Sequence, residues 1–270
     1  MNVLSWRATA LVVPAAYLLL WMLLVAWSQM AWRLPCVVLL ALALCVTVLI
    51  ALGLQEARLM RRRAWLGQYL QQQGRLYRLL RGGWLMRLVT ILTAVGLAVL
   101  LLGQSLLWSA WIWLLLFADI WLLYLLQRWF QGRLTSEVKP GYRLRVSRLF
   151  ALWANVALLT VALATIQLLE PQFDYRGAPL EVVVHQAAQS AEWACTLFGV
   201  VERLLLLNRE LTYWLMQNVF DDVRGGGALA LLAWALVFVL SSAYSWAYTR
   251  VLLGISSLLW VEHNDDETAR

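Results

Sequence analysis

Residues 84–127 read WLMRLVTILTAVGLAVLLLGQSLLWSAWIWLLLFADIWLLYLLQ, with Arg87 and Asp119 as the only charges. A membrane-spanning helix needs about 20 mainly apolar residues. This stretch holds two, 84–102 and 105–127, on either side of a Gly103-Gln104 turn. It therefore reads as a transmembrane hairpin, and the rest of the chain repeats the pattern. Apolar segments 8–27 and 34–54 precede it, and 149–169 and 227–249 follow. The run at 8–27 is longer than the roughly 7–15-residue apolar core of a signal peptide, and no A-x-A-like site follows it. It reads as a retained helix.

Composition agrees. The chain is 63% hydrophobic and 14% charged, whereas a soluble domain carries about 25% charged residues. Too little polar surface remains to cover a water-exposed globule. The fold class is all-α: a polytopic integral membrane protein with about six transmembrane helices in three hairpins, plus interfacial amphipathic helices.

The basic residues set the expected orientation. After the second span come Arg58, Arg61, Arg62, Arg63, Arg75, Arg78, Arg81 and Arg87 against Glu56. After the fourth come Arg128, Arg133, Lys139, Arg143, Arg145 and Arg148 against Glu137. The other side has Arg33 and a 170–226 segment with eight acids and four arginines. Both termini are thus expected in the cytoplasm of a bacterial cell, with the chain in its inner membrane. The expected divisions are 1–55, first hairpin; 56–83, basic helix; 84–127, second hairpin; and 128–148, basic loop. The fifth span (149–169), an outer helical segment (170–226), the sixth span (227–249) and a tail (250–270) follow. Most tryptophans read as interfacial belt residues, with Trp27, Trp32, Trp108, Trp111 and Trp113 outside and Trp6, Trp84, Trp129 and Trp153 inside.

The segment 56–83 places Leu59, Leu66, Leu70, Tyr77, Leu80 and Trp84 on one helical face. Its arginines take the remainder. That pattern suits a helix lying on an anionic leaflet, each arginine adding on the order of 1 kcal/mol of attraction. No nucleic-acid motif accompanies the charge, so the expected partners are membrane lipids and a membrane protein or second copy, not nucleic acid.

Asp119 is the one carboxylate deep in a span, and such a group is neutral, paired or beside a wet cavity. Asn155 of the fifth span lies at similar depth, and Ser242 and Ser245 of the sixth are further candidate partners. These four residues form the candidate intramembrane polar site. Its two readings are glue between helices and a proton or cation site. The small residues Ala94, Gly96, Ala98 and Gly103, and the pair Ala243 and Ala247, suit close helix packing.

In the outer segment Pro179 is placed to open a helix. The three/four spacing of Leu180, Val184, Ala187, Ala191, Ala194, Phe198, Val201 and Leu205 continues it. Asn208 is expected to interrupt, with a second helix over 209–223. Such an apolar stripe marks an interaction surface.

Cys36 and Cys45 sit in one apolar run and Cys195 stands apart, a scatter that predicts neither a disulfide framework nor a metal site. His185 and His263 have no companion ligands. No HExxH, GxSxG or GxxxxGK[ST] motif occurs, and Ser241, Ser242 and Ser245 have no nearby His or Lys. Catalytic, cofactor and metal residues are therefore expected to be none. The stretch AAQSAEWACTLFGVVERL (187–204) resembles small membrane proteins encoded with integrating conjugative elements, over under a tenth of the chain. The resemblance implies a protein partner. The expected function is a non-enzymatic structural or assembly component of a larger envelope complex, of a secretion or conjugation-like kind. The alternative is a small channel or transporter with an ion or proton site at Asp119.

Overall fold

The computed structural model describes residues 3–69, 84–138, 140–170, 173–188, 195–220 and 227–268. Every regular element among them is helical. Helix α1 (Val3–Met30) passes through one 3-10 turn (Ala31–Arg33) into α2 (Cys36–Tyr69), and α3 (Trp84–Ser105) turns into α4 (Ala110–Arg133). Then come α5 (Pro140–Leu169), the outer helices α6 (Leu180–Ala188) and α7 (Thr196–Phe220), and α8 (Gly227–Thr268). Six stretches are long and apolar enough to cross a membrane: Val12–Arg33, Cys36–Gln55, Met86–Ser105, Ala110–Arg133, Tyr142–Gln167 and Ala235–Leu258. The protein is a multi-pass membrane protein of the all-α class.

Three boundaries move outward from the sequence reading. The second span continues unbroken to Tyr69, so Arg58, Arg61, Arg62 and Arg63 ride on its extension, not on a separate helix. At roughly 1.5 Å per residue, Glu56 to Tyr69 add about 20 Å of helix. Arg75, Arg78 and Arg81 lie outside the described residues. The basic loop expected over 128–148 is largely helix, since α4 runs to Arg133 and α5 opens at Pro140, a residue suited to a first turn. The sixth span does not end at Thr249: α8 runs on to Thr268, with Arg250 inside it.

Helix α8 is the axis of the bundle. It packs against α1, α2, α3, α5 and α7, and 61% of its spanning window is buried, against 28% for each of the first two spans. Lipid contact falls to residues such as Val37, Leu44, Leu92, Leu125 and Val161, which are large, apolar and exposed. Close approach of α2 and α8 rests on two glycines. A Cβ on Gly53 would stand 2.9 Å from the Arg250 carbonyl oxygen, and one on Gly254 would stand 2.1 Å from that of Leu49. In α3, Ala94 and Ala98 are buried and Gly103 lies against Val201 and Leu205 of α7. Ala247 is buried and Ala243 half-buried, while Gly96 faces open space.

The belt reading holds for Trp32, Trp111, Trp129 and Trp153, which are exposed. It fails for Trp27, Trp108 and Trp113, all buried. Trp27 Nε1 donates to the Leu102 carbonyl at 3.1 Å, and Trp21 Nε1 to that of Trp113 at 3.1 Å. These two indoles bond carbonyls of neighbouring helices, contacts that spacing along one chain segment does not reveal.

The segment holding α6 and α7 docks on its own bundle. As expected, α6 opens just after Pro179, but it ends at Ala188, and α7 passes through Asn208 without a break. Asparagine's weak helix propensity costs only about 0.7 kcal/mol, which packing on α3 and α8 outweighs. Cys36 and Cys195, expected to be unpaired, form a disulfide with their Cα atoms 5.0 Å apart. Folding brings the first residue of α2 to the start of α7 across 159 positions of sequence. Phe198 stacks edge-on against Trp27 at 5.6 Å beside it.

Two outcomes follow from this packing. Gly254→Ala should lower stability in detergent micelles by about 1–3 kcal/mol through overpacking against Leu49, while Gly96→Ala should be neutral or slightly stabilising; thermal unfolding of both variants tests this. Removing the disulfide by Cys195→Ser should cost about 2–4 kcal/mol and speed proteolysis of α7. Unchanged melting and cleavage would show that the bond is not a structural clamp.

Candidate functional site

The buried face of α4 carries Ile112, Leu116, Asp119, Ile120, Leu123 and Gln127, the three/four spacing of one helical stripe. Asp119 is therefore forced inward along with the leucines and is 3% exposed. With α4 running from Ala110 to Arg133, Asp119 lies near the middle of that helix. Asn155 meets it from α5. Its Nδ2 donates to Asp119 Oδ2 at 3.1 Å and to Thr249 Oγ1 of α8 at 3.2 Å. One amide thus joins three helices. Asp119 Oδ1 and Asn155 Oδ1 are buried and accept no hydrogen bond from the described residues.

The structure brings Asn155 of α5 to Asp119, while neither Ser242 nor Ser245, the two candidates on α8, bonds to either residue. Ser245 is fully buried, but its hydroxyl donates to the Ser241 carbonyl at 2.7 Å. Ser242 is only half-buried and takes no part in the cluster. Thr249, one turn along from Ser245, carries the contact and donates in turn to the Ser245 carbonyl at 2.8 Å. It went unnoticed because it lay at the expected end of the sixth span. The period-four row Ser241, Ser245, Thr249 was the available signal.

A second polar layer lies towards the basic end of the bundle. Arg148 is buried and its Nη2 donates to the Ser256 carbonyl at 3.3 Å; Arg250 is buried and its Nη1 donates to the Gly53 carbonyl at 2.9 Å. The Tyr17 hydroxyl faces Ser256, Gln127 and Arg148. Arg148 was read as part of a solvated loop; it pins α5 to α8 instead.

At the opposite end a narrow cleft, with about 30 Å³ of room for water, opens between α7 and the spans. Gln104, Gln167, Asn208, Arg209, Tyr213 and Tyr244 supply its polar lining. The side-chain amides of Gln104 and Asn208 and the hydroxyls of Tyr213 and Tyr244 make no hydrogen bond to the described residues. Beside the cleft, Arg209 donates to Glu210 Oε1 at 3.1 and 3.2 Å, and Tyr175 donates to Glu210 Oε2 at 2.8 Å. Burial, and then the carboxylate it donates to, push the Tyr175 hydroxyl above its ordinary value; burial raises that of Tyr213. Gln217 and Asn218 hold the 173–177 turn, where Gly177 takes φ +68°, a conformation that suits glycine.

Among the described residues no group of three or more His, Cys, Asp or Glu side chains could hold a metal ion. Comparison with known protein families, curated proteins and solved structures finds no match to this chain. The function must be argued from the chain itself.

Asn155→Leu should destabilise by about 1–3 kcal/mol, because Asp119 is left buried without its donor. Asp119→Asn keeps an acceptor in place and should cost less than about 1 kcal/mol, and Ser242→Ala should cost nothing measurable. Unfolding midpoints in micelles rank the three; a silent Asn155→Leu would remove the cluster from the structural account.

Proposed function

We propose that this chain is a non-enzymatic integral protein of a bacterial inner membrane, with both termini cytoplasmic. In this reading it is a structural or assembly component of a larger envelope complex, of a secretion or conjugation-like kind. The orientation rests on the arginine asymmetry. It is supported by the Cys36–Cys195 bond, since disulfides persist on the oxidising side of such a membrane.

The observation that carries the partner reading is the outer hairpin. It is tied to the bundle, yet Leu197, Val200 and Leu204 form an exposed face on α7, and Leu180 and Val184 another on α6. A rigid apolar face beyond the spans suits a protein partner or a second copy. The basic continuation of α2 suits the anionic leaflet on the other side. The unpartnered Asp119 Oδ1 favours a second reading, a small channel or transporter with an ion or proton site at that residue.

Gentle-detergent purification with mass spectrometry should recover a stoichiometric membrane-protein partner or an oligomer. The triple variant Leu197→Ser, Val200→Ser, Leu204→Ser should lose that assembly while keeping its own melting temperature. Recovery of wild type as a monomer alone would refute the complex reading.

A further inference from the structure

The basic end of the α4–α5 hairpin carries groups that its packing does not use. The two apolar spans end there at Arg133 and Tyr142, which puts the adjoining side chains at headgroup level. The stretch 133–145 holds Arg133, Lys139, Arg143 and Arg145 against one acid, Glu137. Arg133 meets no carboxylate among the described residues; its Cζ stands 5.5 Å from the centre of the Trp129 ring. Arg143 donates from Nη2 to the Thr135 carbonyl at 3.3 Å, which brings its guanidinium to the turn that follows Arg133. A guanidinium has five N–H donors in a fork that matches phosphate oxygens, so both side chains keep donors to offer.

Membrane-ward of these arginines the hairpin is aromatic. Trp129 meets Phe130 edge-on with ring centres 4.8 Å apart, and Phe130 stacks on Phe150 of α5 at 5.6 Å. A continuous file of rings therefore runs from the Arg133 guanidinium across the seam between the two helices. Phe130 is half-buried in that seam, whereas Trp129 and Phe150 are 54% and 50% exposed. Further in, Leu122 and Leu158 continue the same exposed surface. Interfacial aromatics alone are ordinary belt residues. What separates this patch is contact between the rings of two helices, ending on a cation with no acidic partner. The surface is graded as one phospholipid is, with charge at headgroup level, flat rings below it and aliphatic side chains deeper.

We propose that the seam between α4 and α5 is a binding site for one anionic phospholipid of the leaflet at the basic end. Arg133 and Arg143 hold its phosphate, and its chains lie on the Trp129–Phe130–Phe150 rings and run on to Leu122 and Leu158. Charge selects the occupant. A lipid with a net negative headgroup answers four basic residues set against one acid, and basic pockets between membrane helices take such headgroups. A zwitterionic lipid brings its own cation to the same place. A second copy is the poorer occupant, because a two-fold contact in the membrane would bring two of these basic ends together. The site is separate from the basic continuation of α2, which packs on α3 and α8. It depends on neither the complex reading nor the Asp119 reading, nor on which side of the membrane the basic end faces.

The test is native mass spectrometry of the delipidated full chain, titrated with phosphatidylglycerol or with phosphatidylcholine of the same acyl chains. Wild type should bind its first phosphatidylglycerol about tenfold more tightly than phosphatidylcholine. Arg133→Gln should weaken that first site about fivefold, the loss of one charge near the surface. Adding Arg143→Gln should bring the loss to about thirtyfold, with phosphatidylcholine binding unchanged. Phe150→Ala should weaken both lipids, and Arg58→Gln with Arg61→Gln on α2 should spare the first site. Arg133 and Phe150 are exposed, so their variants should melt as wild type does. Equal affinity of wild type for the two lipids, or a first site untouched by Arg133→Gln, would overturn the proposal. So would a dimer or hetero-complex that excludes lipid and dissociates with Phe150→Ser.

Discussion

Lipid offers no hydrogen-bond partner to a buried polar group, so each such group must be answered from within the chain. Helix α8 meets this constraint by giving up much of its lipid-facing surface. Its spanning stretch is the least hydropathic of the six and the most buried, which is why Ser241, Ser245, Thr249, Arg250 and Ser256 can all lie inside the membrane region. The other spans are arranged to cover it. Gly53 and Gly254 let α2 approach until Arg250 meets the Gly53 carbonyl, and Asn155 brings α5 and α4 against the same helix. Each arginine of the inner layer ends on a carbonyl of a neighbouring helix, so the charges tie helices together at a level where lipid would exclude them.

The outer hairpin extends this arrangement beyond the spans. The disulfide, the Trp27–Phe198 contact and the seating of Val201 and Leu205 on Gly103 fix α7 to the ends of α2 and α3. Gln217, Asn218 and Trp214 then satisfy the backbone of the 173–178 turn. Because α7 closes over the ends of the spans without filling the space between them, a polar cleft is left where the α8 row begins. The rigidity that would present an apolar face to a partner and the cleft beneath it have the same origin.

The two roles weighed for Asp119 are not exclusive. Asn155 links three helices whether or not the carboxyl titrates, and a fixed network is what holds a proton site at one depth. The hydroxyls near it come from α8, while Leu116 and Leu123 of α4 and Leu152 and Leu159 of α5 are buried on either side of the pair.

Span number and fold class were legible in the sequence, because lipid selects for apolar length. The Asp119–Asn155 pair was legible too, since helical rise converts sequence position into depth. Which face of α8 would meet that pair was not, and Ser245 was expected where Thr249 stands. Rotation about a helix axis depends on neighbours, and composition does not encode it. The same reason hid the Cys36–Cys195 bond, the Gly53–Gly254 crossing and the burial of Trp27, Trp108 and Trp113. Each joins residues far apart in the chain, and their meeting was decided only when the helices packed.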